Sequence, residues 1–225
     1  MLRSLLLCAF VAGTLGVSLL PATPNPKRDD DEKRYSKCYP TKENVYGFEV
    51  ETLTGERQNL TKYRGKVLLI VNVATFCDYT EQYKHFNGLL ERNPGVELLA
   101  FPCNQFELQE PGHNDEILNG LKYVRPGKGW EPGEHVHIYG KLEVNGEKEH
   151  PMYAFLKNTC PPTSQKIGKR EELFYDPIKT NDVVWNFEKF LIDKRGRPRF
   201  RFFPATWNGG KRVEEHFKTL LEEEV

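Results

Sequence analysis

The side chain with the most chemical potential in this 225-residue sequence is Cys77, in the stretch VLLIVNVATFCDYT from Val67 to Thr80. A thiolate attacks electrophiles and a thiol does not, so the question is what surrounds the sulfur. Val67–Val73 is a largely β-branched apolar run, too short for a membrane span, and reads as a buried central strand. Tyr79, Tyr83, Phe86 and Leu90 then recur at helical spacing, with Asp78 and Glu81 set like a capping box. Cys77 thus falls in a strand-to-helix turn, where backbone N–H groups and the helix dipole favour an anion and lower a thiol pKa. Most free cysteines are inert small hydrophobes. Ligands of parallel sheets gather at strand carboxyl ends, and that favours the reactive reading here.

The elements that must position Cys77 follow from the flanking sequence. Val96–Phe101 is a second buried strand, completing a right-handed β-α-β unit and running into Pro102-Cys103-Asn104-Gln105-Phe106. Val45–Leu53 and Gln58–Leu60 read as short strands, Asn114–Leu121 as a second helix, and His137–Val144 as a strand. Pro151–Asn158 reads as a short helix entered through proline. Thr159–Asp182 is long, polar and irregular, the profile of a functional loop or an interface. Val183–Asp193 and Pro198–Phe203 form a hairpin, and Lys211–Glu223 closes the chain as an amphipathic helix. A β-α-β unit, a hairpin and a helix make the thioredoxin-like arrangement: α/β, with a central mixed sheet flanked by helices. Its C-x-x-C signature is absent, so a one-cysteine site is expected.

Composition bounds the rest. With 38% hydrophobic residues the chain can bury a full core in one domain, and a net charge of +0 speaks for neither nucleic acid nor an anionic membrane as partner. Residues 1–20 read as a secretory signal peptide, residues 21–37 as a disordered leader, and residues 38–225 as the folded domain. Export implies an oxidising compartment, leaving Cys38, Cys77, Cys103 and Cys160 in the mature chain. Cys38 and Cys160 lie in loop-like sequence, able to pair with each other or with another chain. Asn59-Leu60-Thr61 fits the N-glycosylation pattern. His135 and His137 alternate at a strand start, yet no third ligand stands at a helpful spacing, so no metal site is expected.

Five blocks in order, VNVATFC (Val71–Cys77), AFPCNQF (Ala100–Phe106) followed by QEPG (Gln109–Gly112), LKYVRPG (Leu121–Gly127), VNGEKE (Val144–Glu149) and WNFEKFLID (Trp185–Asp193), resemble the glutathione peroxidase family. The likeness runs from about Cys38 to the C-terminus. The leader, LKYVRPG and the Cys160–Asp182 loop resemble the secreted plasma and epididymal branch, which forms tetramers. The resemblance implies that Cys77 takes the position of the peroxidatic selenocysteine or cysteine. It implies equally that Gln105, Trp185 and Asn186 are hydrogen-bonding partners of the sulfur, on a strand beside it for the last two, and that Arg125 and Arg201 hold the thiol substrate. Gln82 stands where some intracellular members place an arginine.

The implied function is reduction of hydrogen peroxide and organic hydroperoxides through a Cys77 sulfenic acid, with glutathione as co-substrate, no bound cofactor and no metal. The implied partners are hydroperoxide and small thiol, in a secreted homotetramer without a membrane span. A thioredoxin-dependent or broad-thiol peroxidase is the alternative on the same site. Thioredoxin-using relatives carry a resolving cysteine in the helix after QEPG, and Asn114–Tyr123 has none. A non-enzymatic secreted protein is the remaining class, against which stands the joint presence of thiol, amides and indole.

Overall fold

The computed structural model describes residues 34–224, so the signal-peptide reading and all but the end of the leader lie outside the described residues. Strands β1 (Tyr35–Lys37), β4 (Val67–Val73), β5 (Val96–Pro102), β6 (Val136–Ile138), β7 (Lys189–Ile192) and β8 (Pro198–Phe202) form one mixed sheet in the order β1-β8-β7-β4-β5-β6. β4, β5 and β6 run parallel to one another, and β7 runs antiparallel to β4. Strand β1 corrects the leader boundary. Tyr35–Lys37 pairs with Phe200–Phe202, and the Tyr35 ring lies against Phe200, Phe202 and His216, so apolar contact orders residues that charge density alone would leave solvated. A separate hairpin joins β2 (Glu49–Glu51) to β3 (Arg57–Asn59). Asn59 is exposed at its end.

Both faces of β4 are buried, which is why it reads as an apolar run rather than an alternation. Val67, Leu69, Val71 and Val73 face a core with Tyr83, Phe86, Leu89 and Leu90 of α1 (Tyr83–Glu91). Val213 of α4 (Lys211–Glu214) and Phe217 and Leu220 of α5 (Phe217–Glu222) complete it. Leu68 and Ile70 face a second core with Tyr46, Tyr63 and residues Met152, Tyr153 and Leu156 of α3 (Pro151–Thr159). Helices on both faces of a mixed sheet give the expected thioredoxin-like fold.

Several boundaries differ from expectation. Val45–Gly47 is a 3-10 turn, the strand expected at His137–Val144 is only β6, and the closing helix breaks between Glu214 and Phe217. The second helix, α2 (Asn114–Asn119), continues as a π-helical turn through Val124. Cys38 and Cys160 form a disulfide with Cα atoms 4.0 Å apart, tying the chain after β1 to the end of α3. No helix among the described residues is long and apolar enough to cross a membrane.

Candidate active site

Cys77 sits where β4 leaves the sheet, capping a 3-10 turn at Asp78–Gln82 that leads into α1. The cap differs from the Asp78/Glu81 box expected. The Sγ atom of Cys77 accepts the Tyr79 N–H at 3.4 Å, and Thr80 Oγ1 accepts the Cys77 N–H at 3.1 Å. Thr80 donates its own proton to the Ala74 and Thr75 carbonyls, at 2.8 and 3.1 Å. Cys77 is therefore held at its sulfur by Tyr79 and at its backbone by Thr80, both through groups that bear no charge.

Electrostatically the site departs from the sequence reading. Cys77 is 1% exposed, and burial pushes its thiol up to about 11. The Tyr79 N–H opposes that shift, the Asp78 carboxylate adds to it, and hydrogen bonds from Trp185 and Asn186 again oppose it. A five-residue 3-10 turn presents one aligned N–H to the sulfur, too little to offset removing an anion from water. The resting group at neutral pH is the thiol.

Trp185 and Asn186 lie close enough to act on the Cys77 thiol and lower its pKa, but from a turn rather than from the strand expected. β7 begins only at Lys189. Phe187, at φ +67°, turns the chain, and its N–H is bound to the Asn72 carbonyl of β4. Asn72 also donates its side-chain amide to the Trp185 carbonyl at 3.1 Å, so β4 itself fixes the turn that carries the indole.

Gln105 is a correction. Its Oε1 accepts the N–H groups of Val144 and Asn145, at 2.9 and 3.0 Å, and its Nε2 donates to the Asn145 carbonyl at 2.8 Å. With both ends of the amide committed to the 143–145 segment, it anchors a loop and has nothing left for Cys77. Gln109 lines the cleft with Cys77 instead: its Oε1 accepts Asn186 Nδ2 at 3.0 Å and its Nε2 donates to Glu107 Oε2 at 2.8 Å, so it meets the site through Asn186. Sequence reasoning missed it because the two glutamines stand four residues apart. The backbone between them, with φ +49° at Glu107 and +51° at Leu108, turns the chain so that Gln105 faces the 143–145 segment and Gln109 lines the cleft. QEPG, two residues after AFPCNQF, was the available signal.

Arg201 is a second correction. It is fully buried, ion-paired to Glu188, and donates to the carbonyls of Cys160, Asn181 and Asp182. A guanidinium with its donors spent in the interior does not hold a substrate. Arg125 lies on the rim, 3.6 Å from Asp78. His135 and His137 both turn to Glu97, at 3.3 and 2.8 Å.

The cleft itself has a volume of about 990 Å³, and its lining includes Cys77, Gln109, Trp185, Gln82, Pro204 and Trp207. The Thr159–Asp182 segment contributes to the lining as well: Gly168 packs so close to the Trp185 indole that an added Cβ would lie 3.2 Å from it. Arg34, stacked 4.0 Å over Phe203, and Lys166 are the cations lining the cleft, and neither was singled out in the sequence. The other free thiol among the described residues, Cys103, is buried in the second core.

A chain with this geometry has close relatives. The glutathione peroxidase family profile matches residues 45–157. The cuticular glutathione peroxidase of Brugia malayi is 55% identical over 209 residues, covering 92% of this chain and 94% of that one. The epididymal secretory glutathione peroxidase of Rattus norvegicus is 47% identical over 176 residues, covering 76% and 79%. The crystal structure of T. cruzi GPX1 superposes with a TM-score of 0.55 at 29% identity, covering 80% of this chain and 97% of that one. Profile, identity and fold agree, and the chain belongs to the glutathione peroxidase family.

Proposed function

We propose that this protein is a thiol-dependent peroxidase that reduces hydrogen peroxide and organic hydroperoxides at Cys77, with glutathione as reductant. The carrying observation is one buried sulfur that meets an indole, an amide and a backbone N–H at the end of an open cleft. In the first step the S–H and O–O bonds break while S–O and O–H bonds form. Sulfur loses two electrons, the thiol proton leaves with the departing oxygen, and Cys77 becomes a sulfenic acid. Uncharged donors suit this step. Trp185 and Asn186 support the sulfur anion as its proton leaves, without quenching its nucleophilicity as a salt bridge would. The charge then passes to the departing oxygen, which takes up the proton, and Gln109 holds the Asn186 amide in place. One glutathione then condenses with the sulfenic acid, releasing water. A second exchanges with the mixed disulfide, releasing glutathione disulfide and restoring the thiol.

A small thiol is favoured over thioredoxin by the supply of cysteines. Cys38 and Cys160 are bonded to each other, Cys103 is in the other core, and α2 with its π-helical extension carries none. Peroxide-treated protein should therefore stay at the sulfenic acid or overoxidise. Mass spectrometry showing an intramolecular disulfide at Cys77 would reverse that choice. Arg34 and Lys166 line the cleft and Arg125 stands beside its Asp78, so cations for the carboxylates of glutathione are present there among the acidic side chains of Asp78, Glu81, Glu107 and Glu172. The Cys38–Cys160 disulfide, with the cuticular and secretory names of the relatives, supports an extracellular location. Exposed Leu118, Tyr123 and Val124 support a homotetramer, which light scattering would show as about four chains. Cysteine takes the selenocysteine position in this reading. The decisive experiment is turnover of hydrogen peroxide with glutathione and, side by side, with a thioredoxin system. Faster turnover with thioredoxin would replace the reductant, and none with either would remove the function.

A further inference from the structure

Behind the Cys77 turn lies a second, smaller recess of about 370 Å³, lined by Thr75, Phe76, Glu110, Glu116, Ile117 and Gly120. Glu110 is 1% exposed, and the catalytic steps above make no use of it. One of its carboxylate oxygens, Oε2, accepts both the Thr75 N–H at 2.9 Å and the Thr75 hydroxyl at 3.1 Å. Its own N–H is held by Asn104 Oδ1 at 2.9 Å, and the neighbouring Gln109 carbonyl accepts the Phe76 N–H at 3.0 Å. Gln109 and Glu110 are thus stitched to Thr75 and Phe76, the two residues that precede Cys77. Thr75 passes the constraint on, since its carbonyl accepts Thr80 Oγ1 and that same oxygen accepts the Cys77 N–H.

We propose that Glu110 is a positioning residue for peroxide reduction: its carboxylate, bonded twice to Thr75, holds the Cys77 turn and Gln109 in register. This inference rests on the reading of Cys77 as the peroxidatic sulfur. A buried carboxylate with two short donors is an anchor whose strength depends on its charge, because bonds to an ionised acceptor are roughly twice as strong as neutral ones. Burial pushes Glu110 up to about 7, against the Thr75 bonds and the Lys141 charge, both of which act to lower it. The groups facing it are Thr75 from the end of β4, Tyr83 from α1, Glu116 from α2, and Lys141, whose ammonium binds the Glu110 and Gly112 carbonyls. The anchor is therefore charged above neutrality and loses its charge as pH falls through about 7.

The test is the second-order rate of Cys77 oxidation by hydrogen peroxide, followed by stopped flow from pH 5.5 to 8.5 in wild type, Glu110→Gln and Glu110→Ala. The Gln amide oxygen keeps the shape and accepts both Thr75 donors, but never carries charge. Glu110→Gln should match wild type near pH 5.5 and fall roughly three- to tenfold behind it at pH 8, the size expected for losing charge assistance on two bonds. Glu110→Ala should be slower at every pH. Wild-type and Glu110→Gln profiles that superimpose, or that differ by one constant factor, overturn the proposal, since packing alone has no pH dependence. Wild-type protein whose Cys77 is not oxidised at all would instead remove the peroxidase reading on which the proposal rests.

Discussion

Two buried thiols sit just beyond the carboxyl ends of neighbouring parallel strands, and almost everything about them differs. Cys77 leaves β4 into a turn that opens on a cleft, with the Tyr79 N–H on its sulfur and the neutral side chains of Trp185 and Asn186 near enough to lower its pKa. Cys103 leaves β5 into a core of Phe101, Phe106, Tyr153 and Tyr175, where its thiol points to Gln105 Oε1 at 3.5 Å. Burial raises both, Cys77 to about 11 and Cys103 to about 12. Their resting acidity therefore separates them little. What distinguishes the reactive position is an approach path for a second molecule, together with donors that act on the anion formed during attack.

The most severe break in that comparison is to remove each sulfur. Cys77→Ser should abolish peroxide turnover, at least a hundred-fold below wild type, because the hydroxyl cannot become a sulfenic acid. Cys103→Ser should keep most of the rate. Equal losses in a steady-state peroxide assay would mean that both sulfurs take part. Alkylation sharpens the same contrast. A raised pKa means the thiolate appears late, so iodoacetamide labelling of Cys77 should climb about tenfold per pH unit from 7 towards 10. A plateau near pH 8 would show a sulfur ionised at rest, and peptide mapping should place the label on Cys77 ahead of Cys103.

Glutamines repeat the contrast at smaller scale. Gln109→Ala takes away the acceptor that holds the Asn186 amide, and should slow sulfenic acid formation by roughly 10- to 100-fold, less than the roughly 10²- to 10³-fold of deleting an oriented donor because Asn186 itself remains. Gln105→Ala leaves the N–H groups of Val144 and Asn145 unpaired in the interior. It should cost about 1–3 kcal/mol of stability while the peroxide rate of folded protein stays near wild type. Stopped-flow rates beside denaturant curves decide between them; the opposite pairing of effects would restore Gln105 to the site.

The limits of the sequence reading show in the same residues. β4 and β5 were legible to within a residue because strands buried on both faces are apolar at nearly every position, with Asn72 and Glu97 the single polar residue in each. α3 was legible because proline marks its first turn. Cys77, Trp185 and Asn186 were legible as chemical types. What escaped depends on contacts across long stretches of chain or on single backbone angles. The left-handed residues at Glu107 and Leu108 choose between two glutamines, and Phe187 delays β7 until after Asn186. The Cys38–Cys160 bond joins residues 122 apart. The turn at Cys77 resembled a helix mouth in sequence, but the depth of burial, which sets its pKa, belongs to the assembled core.

Arginines carry the smallest expected effect on catalysis and the clearest division between surface and interior. Arg125 is partly exposed on the rim beside Asp78, and a charge there contributes about 0–1 kcal/mol to holding an anionic ligand. Arg125→Gln should therefore raise the KM for glutathione by only about two- to fivefold, leaving kcat and the peroxide step alone. Arg201 has no exposed surface and is paired with Glu188, so Arg201→Met strands a buried carboxylate and three carbonyls. That should cost about 3–5 kcal/mol of stability. The two variants exchange readouts: KM moves in one and the unfolding midpoint in the other. If Arg201→Met folded with an unchanged midpoint and a raised KM, the guanidinium would reach the cleft in solution, and the line drawn here between anchoring and binding arginines would have to be redrawn.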